Sequence, residues 1–168
     1  PMTAKIIDGK QIAATIHAEV KQAASDLRAR GVVPGLATVL VGDNPASLSY
    51  IKGKRRACER AGMASREHNL PAGATQEDVV DLVESLNRDP QVDGILVQLP
   101  LPKPLQAAPV IQAIDPAKDA DGLHPTNLGW LVLGHEAPLP CTPAGIVELL
   151  RRHDVTIDAV LASACLPS

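Results

Sequence analysis

The chain has 168 residues, 45% of them hydrophobic and 21% charged, which suits one sizeable core and part of a second. A net charge of -3 gives no electrostatic reason to expect nucleic acid or an anionic membrane as a partner. No apolar run reaches the ~18 residues of a membrane span, and the N-terminus lacks a signal-peptide pattern, so a cytoplasmic protein is expected.

Cys58, Cys141 and Cys165 are scattered and odd in number, which suits reduced thiols rather than a disulfide framework. The histidines show no ligand spacing, so no metal site is expected. Tyr50 and Trp130 are the only aromatic residues, and the core must be aliphatic.

From Gly9, Ile12, Ile16, Val20, Ala23 and Leu27 recur at helical intervals until Gly31. The apolar run GLATVLVG (35–42) reads as a strand inside a parallel sheet. A helix is predicted over 47–62 and a weaker strand over 65–70. The segment ATQEDVVDLVESLNRDP begins a helix with Thr75 as N-cap and Asp78 at the capping-box position. A third strand, VDGILVQLPLP, carries Gln98 at its end and is broken by Pro100 and Pro102.

A short helix is expected over 109–114, followed by an irregular, turn-rich stretch over 115–134. Thr142 as N-cap and Pro143 at the first helical position open a helix over 143–152, and 159–168 starts as a strand. Strands alternating with helices, without hairpin signals, predict an α/β three-layer sandwich around a mainly parallel sheet. In such sheets the ligand crevice lies beyond the carboxyl ends of the strands.

Within the 47–62 helix one basic residue is out of place. With Leu48 at zero, Ile51, Cys58, Ala61 and Ala57 fall at roughly 300°, 280°, 220° and 180°, an apolar stripe. Lys52, Arg56 and Arg60 fall at roughly 40°, 80° and 120° on the solvated face, whereas Lys54 lands at about 240°, within the stripe. An amine there either snorkels along the helix or enters the strand-end crevice near Gln98. Tyr50 lies one turn before it, and a Tyr-x-x-x-Lys pair occurs in short-chain reductases. That alternative needs a glycine-rich dinucleotide loop, and the sequence holds no GxGxxG. Taken singly, Gln98 and Asp121 have ordinary structural readings, His124 reads as structural or surface, Cys58 as core, and Cys141 as either.

Jointly, VGDNPASLSYIKGKRRACERAG, DGILVQLPLP, AIDPAKDADGLHPTNLGWLVLG and PCTPAGIVELL resemble the folate-binding half of bifunctional methylenetetrahydrofolate dehydrogenase/methenyltetrahydrofolate cyclohydrolase. The resemblance covers about residues 4–158. It implies oxidation of 5,10-methylenetetrahydrofolate and hydrolysis of the methenyl product to 10-formyltetrahydrofolate. Lys54 would be the catalytic amine, its pKa lowered by burial and by a cationic ligand. Gln98 would hydrogen-bond it, Tyr50 would stack on the aminobenzoyl group, and Asp121 would accept from the pterin. Val97, Leu99 and Pro100 would line the pocket, with Ser47 near the ligand.

The implied organisation is a folate-binding catalytic domain at 1–140, an interdomain helix at 141–158 and, at 159–168, the first strand of a Rossmann domain for NADP. Where the family carries GRSxxVGxP this chain reads AVLASACLPS, so no residue here is assigned to the cofactor. A homodimer is implied for the full-length protein. An apolar patch is expected along 143–152, where the second domain would dock. The alternative in a different class is a non-catalytic folate-binding or dimerising fragment.

Overall fold

The computed structural model describes residues 6–155 and 157. The elements are α1 (Gly9–Ala29), β1 (Gly35–Val41), α2 (Pro45–Ala61), β2 (Ala64–Leu70), α3 (Gln76–Arg88), β3 (Gly94–Val97), α4 (Ala107–Ala113), a 3-10 turn (Pro116–Lys118), α5 (Pro125–Val132) and α6 (Cys141–Arg151). The strands form a parallel sheet in the order β2-β1-β3, with Val39 beside both His68 and Val97.

Alternation along the central strand creates the layers. Ala37, Val39 and Val41 join Ile95 and Val97 on one face, against Val79, Val83 and Leu86 of α3 and Val110 of α4. Thr38 and Leu40 point the other way, toward the face covered by α2, whose buried side chains include Ile51, Cys58 and Ala61. Helix α1 packs on α2 as an outer element, and Arg28 donates to the Gly62 carbonyl at 2.8 Å where α2 ends in a left-handed turn. The three-layer α/β architecture around a parallel sheet is therefore the one expected.

Local caps account for most boundaries. Thr75 and Asp78 form the capping box of α3 as expected. Helix α2 starts two residues before Ser47, because Asn44 accepts from the Ala46 and Ser47 amides at 2.9 and 3.3 Å and Pro45 occupies the first position. Helix α4 lies at Ala107–Ala113 rather than 109–114. In α1 only Ile12 and Ala24 are buried; Val20 and Ala23, expected on the inner stripe, are exposed.

Two further expectations need correction. The stretch 115–134 is not irregular: it contains the 3-10 turn and α5, the latter capped by the His124 side chain. Thr142 is not an N-cap, since α6 begins at Cys141 with Pro140 in the cap position; Pro143 still sits in the first turn, where its missing N–H costs nothing. The strand expected over 159–168 lies outside the described residues. Among the described residues no helix is long and apolar enough to cross a membrane.

Candidate active site

The carboxyl ends of β1 and β3 are adjacent, and each is followed by one side of the candidate site. Strand β1 turns at Gly42 into α2, which carries Tyr50 and Lys54; β3 stops at Val97, so Gln98 is the first residue beyond the sheet. The Gln98 amide still donates to the Val39 carbonyl at 2.8 Å, which anchors its backbone to the central strand. Its side chain is fixed at both ends: the amide NH2 donates to Leu99 O at 2.7 Å, and Oε1 accepts from Lys54 Nζ at 3.1 Å. Lys54 is half-buried, so its amine neither snorkels freely nor packs in the core.

Asp121 comes from the loop after the 3-10 turn, and that loop is built around a second carboxylate. Asp119 is 2% exposed and accepts from the His124 amide at 2.7 Å and from Asn127 Nδ2 at 3.0 Å. The Ala120 amide donates to Ile95 O at 3.2 Å, attaching the loop to the edge of β3. Asp119 is thus consumed by scaffolding, which leaves Asp121 for other work.

Burial pushes the Asp121 carboxyl above the ordinary carboxylate range; the Lys54 charge opposes this and the Asp119 charge adds to it. Among the described residues the one hydrogen-bond donor to its side chain is the Cys141 thiol, at a marginal 4.0 Å from Oδ1. A desolvated carboxylate with so little donation is suited to a ligand that brings its own N–H groups. The Cys141 thiol also reaches Ala120 O at 3.5 Å and is itself raised above the usual thiol range, by burial first and by the Asp121 charge second.

Gly122 makes this arrangement possible. Its φ is +66°, and a Cβ there would lie 2.3 Å from the carbonyl carbon of Leu139 and 2.6 Å from the Pro140 nitrogen. The chain entering α6 therefore passes directly over the Asp121–Gly122 turn and brings Cys141 beside Asp121.

Ile95, Val97, Leu99, Ile111, Ile114 and Leu123 line a small cleft into which Asp119 and Asp121 also face. Val97 and Leu99 are thus at the cleft, and Lys54 meets Gln98 with its charge felt at Asp121. Tyr50, 66% exposed, and Pro100 lie outside this hydrogen-bonded group. Ser47 is buried in the first turn of α2. The sequence left Cys141 open and singled out Asp121 without Asp119; only the tertiary fold reveals which of the two aspartates is already satisfied.

A model of the tetrahydrofolate dehydrogenase/cyclohydrolase catalytic domain matches residues 7–121. The chain belongs to this family. Solved members of the tetrahydrofolate dehydrogenase/cyclohydrolase family superpose on it closely. The bifunctional enzyme FolD from Campylobacter jejuni is 42% identical with a TM-score of 0.88, and the match covers 90% of this chain and 54% of that one. A 5,10-methylenetetrahydrofolate dehydrogenase from the silkworm Bombyx mori is 36% identical at 0.88, covering 91% and 53%. The Trypanosoma brucei dehydrogenase-cyclohydrolase, complexed with NADP cofactor and inhibitor, is 36% identical at 0.86, covering 94% and 55%. The chain spans about half the length of these proteins. Membership leaves the short-chain reductase reading of Tyr50 and Lys54 without support.

Proposed function

We propose that this chain binds a reduced folate and supplies the catalytic half for interconverting 5,10-methylene-, 5,10-methenyl- and 10-formyltetrahydrofolate. The observation that carries the proposal is the Lys54–Gln98 pair beside a desolvated, under-donated Asp121. A pterin offers adjacent N–H donors on its amino-pyrimidinone edge, which is what Asp121 lacks. Tyr50, exposed one helical turn before Lys54, offers a ring face for the aminobenzoyl group, and Val97, Leu99 and Pro100 supply apolar contact.

In the hydrolytic step water adds to the methenyl carbon, loses a proton, and the ring opens as the bridging nitrogen gains one. This reading assigns both transfers to Lys54, which accepts from water and delivers to nitrogen. Gln98 holds the amine through a neutral acceptor, which fixes its orientation.

The oxidative step sends a hydride to NADP. The described residues do not fit that group: the turn after β1 reads Gly42-Asp43-Asn44-Pro45, and Asp43 and Pro45 replace the bare glycine backbone that a pyrophosphate needs. We further propose the domain division at 1–140, 141–158 and 159–168, with the NADP domain and a homodimer belonging to a full-length relative. Helix α6 has no buried residue and leaves Ile146 46% exposed, which supports its use as an interdomain face.

The test follows methenyltetrahydrofolate decay by absorbance with the parent chain and Lys54→Met. Decay above the buffer rate, lost in Lys54→Met, is the expected result. Equal rates in parent, variant and buffer overturn the catalytic reading and leave a folate-binding fragment.

A further inference from the structure

Lys118, half-buried in the 3-10 turn that precedes the Asp121 loop, sends its amine into the carboxyl end of α3. Nζ donates to the carbonyls of Asn87 and Asp89 at 2.8 and 2.9 Å and reaches that of Leu86 at 3.4 Å. A helix end leaves such carbonyls without partners and carries partial negative charge, so a cation there is favoured. Arg88, the basic residue of that last turn, does not fill the role and stands 3.6 Å from Glu84 instead. The cation comes from 29 to 32 positions further along the chain, and all three donors of the ammonium are aimed at one cluster, which holds the side chain and its backbone in one place.

The residues that follow are tied down one by one until Asp121. Asp119 joins α5 through the His124 amide and Asn127, and the Ala120 amide bonds Ile95 O on β3. Helix α5 buries only Asn127, so its bonds to Asp119 make the two one unit without by themselves fixing that unit to the core. A single backbone bond at Ala120 fixes position but not rotation. Lys118, two residues earlier, is the second fixed point, and the helix it rests on is packed on the sheet through Val79, Val83 and Leu86. Asn87 Oδ1 also holds the Asp115 amide at 2.8 Å, but at the far end of the turn. Asp121, with only the distant Cys141 thiol donating to its carboxylate among the described residues, inherits its place from these anchors.

We propose that Lys118 is a positioning residue for ligand recognition: by locking the 3-10 turn onto the carboxyl end of α3, it holds the Asp121 carboxylate at the separation from the Lys54–Gln98 pair that one folate contacting both requires. The inference rests on the folate reading above and adds to it a residue that touches neither ligand nor reacting atoms. Removing the amine leaves three carbonyls unbonded and lets the turn rotate, which carries Asp121 away from Cys141 and out of line with the pair. The Lys54–Gln98 bond, made from α2 and the end of β3, stays as it is.

The experiment compares the 168-residue chain with Lys118→Met, which keeps the length of the side chain without its charge or donors, and with Lys118→Arg, which keeps both. Two readouts are taken well below the melting temperature. Equilibrium binding of 5-formyltetrahydrofolate, a stable reduced folate, is expected to weaken about tenfold in Lys118→Met, the size of one charge-assisted hydrogen bond, and to return to within about twofold of the parent in Lys118→Arg. Alkylation of Cys141 by iodoacetamide, followed on its own peptide by mass spectrometry and without any folate, is expected to speed up roughly threefold in Lys118→Met as the Asp121 charge leaves the thiol. Val83→Ala, a core change in α3 away from the loop, should lower Tm and move neither readout. Parent-like affinity or alkylation in Lys118→Met overturns the proposal, as do equal changes in Val83→Ala or no recovery in Lys118→Arg. Should Lys118→Met not fold, Lys118→Gln, which keeps a donor for the carbonyl cluster, takes its place. If the parent binds no folate, the folate reading fails, and the alkylation rates alone decide whether Lys118 places Asp121.

Discussion

Gly122→Ala tests whether the Asp121 turn and the entry to α6 are in contact. The added Cβ would occupy a left-handed residue, costing about 1–2 kcal/mol. It would also lie 2.3 Å from Leu139 C and 2.5 Å from Leu139 O, and backbone atoms cannot swing aside as a side-chain tip can. Overpacking of that kind adds about 1–3 kcal/mol. A loss near 3 kcal/mol lowers Tm by about 6–12 °C for a chain of this size. Thermal unfolding followed by circular dichroism reads that shift, and Gly53→Ala is the control: with open space around it, it should raise Tm slightly through the helix propensity of alanine. A Gly122→Ala protein that melts within about 2 °C of its parent would mean that residues 139–140 do not cross this turn.

Other expectations concern the same loop. Asp121→Asn should stabilise the protein at neutral pH while abolishing folate binding. The folded carboxyl is raised above its unfolded value of about 3.9, so its favourable contribution is complete below that pH and is lost as pH rises through the folded value. Parent and variant should therefore melt alike near pH 3 and diverge by pH 7; divergence in the opposite sense refutes it. Cys141 should react slowly with iodoacetamide at pH 7.5 despite its exposure, and faster in Asp121→Asn, as mass spectrometry of the alkylated peptide would show. His124→Ala removes the acceptor for the Thr126 amide and the contact from Nε2 to Gln112 O at 3.3 Å. It should cost about 1 kcal/mol in urea unfolding, the usual loss for an N-cap.

Periodicity made the sheet and its covering helices legible. The apolar run at 35–42, the capping box at Thr75 and the 100° stepping of α2 each express a local rule, and the last of these placed Lys54 on the inward side before any neighbour was known. Helix α5 escaped notice for the opposite reason. Its eight residues bury only Asn127, and it is held by tertiary bonds from Asp119 and by an imidazole cap, none of which has a sequence period. Helix α6 starts two residues before the expected Pro143, at Cys141, because threonine before proline is a strong local signal whereas the passage of Leu139 and Pro140 over Gly122 leaves no mark in the sequence. Of the expected site residues the fold brings Lys54, Gln98 and Asp121 together, and their electrostatics were not legible in the sequence: only adjacency in space makes Asp119 satisfied and Asp121 needy.

The bond between Lys54 and Gln98 joins positions 44 apart in the chain, and it exists only when the first and third strands lie side by side. An unfolded or half-assembled chain consequently offers a folate nothing to recognise, so a bound ligand acts wholly on the native state. Its affinity can be read as a rise in melting temperature with ligand concentration, without observing turnover at all.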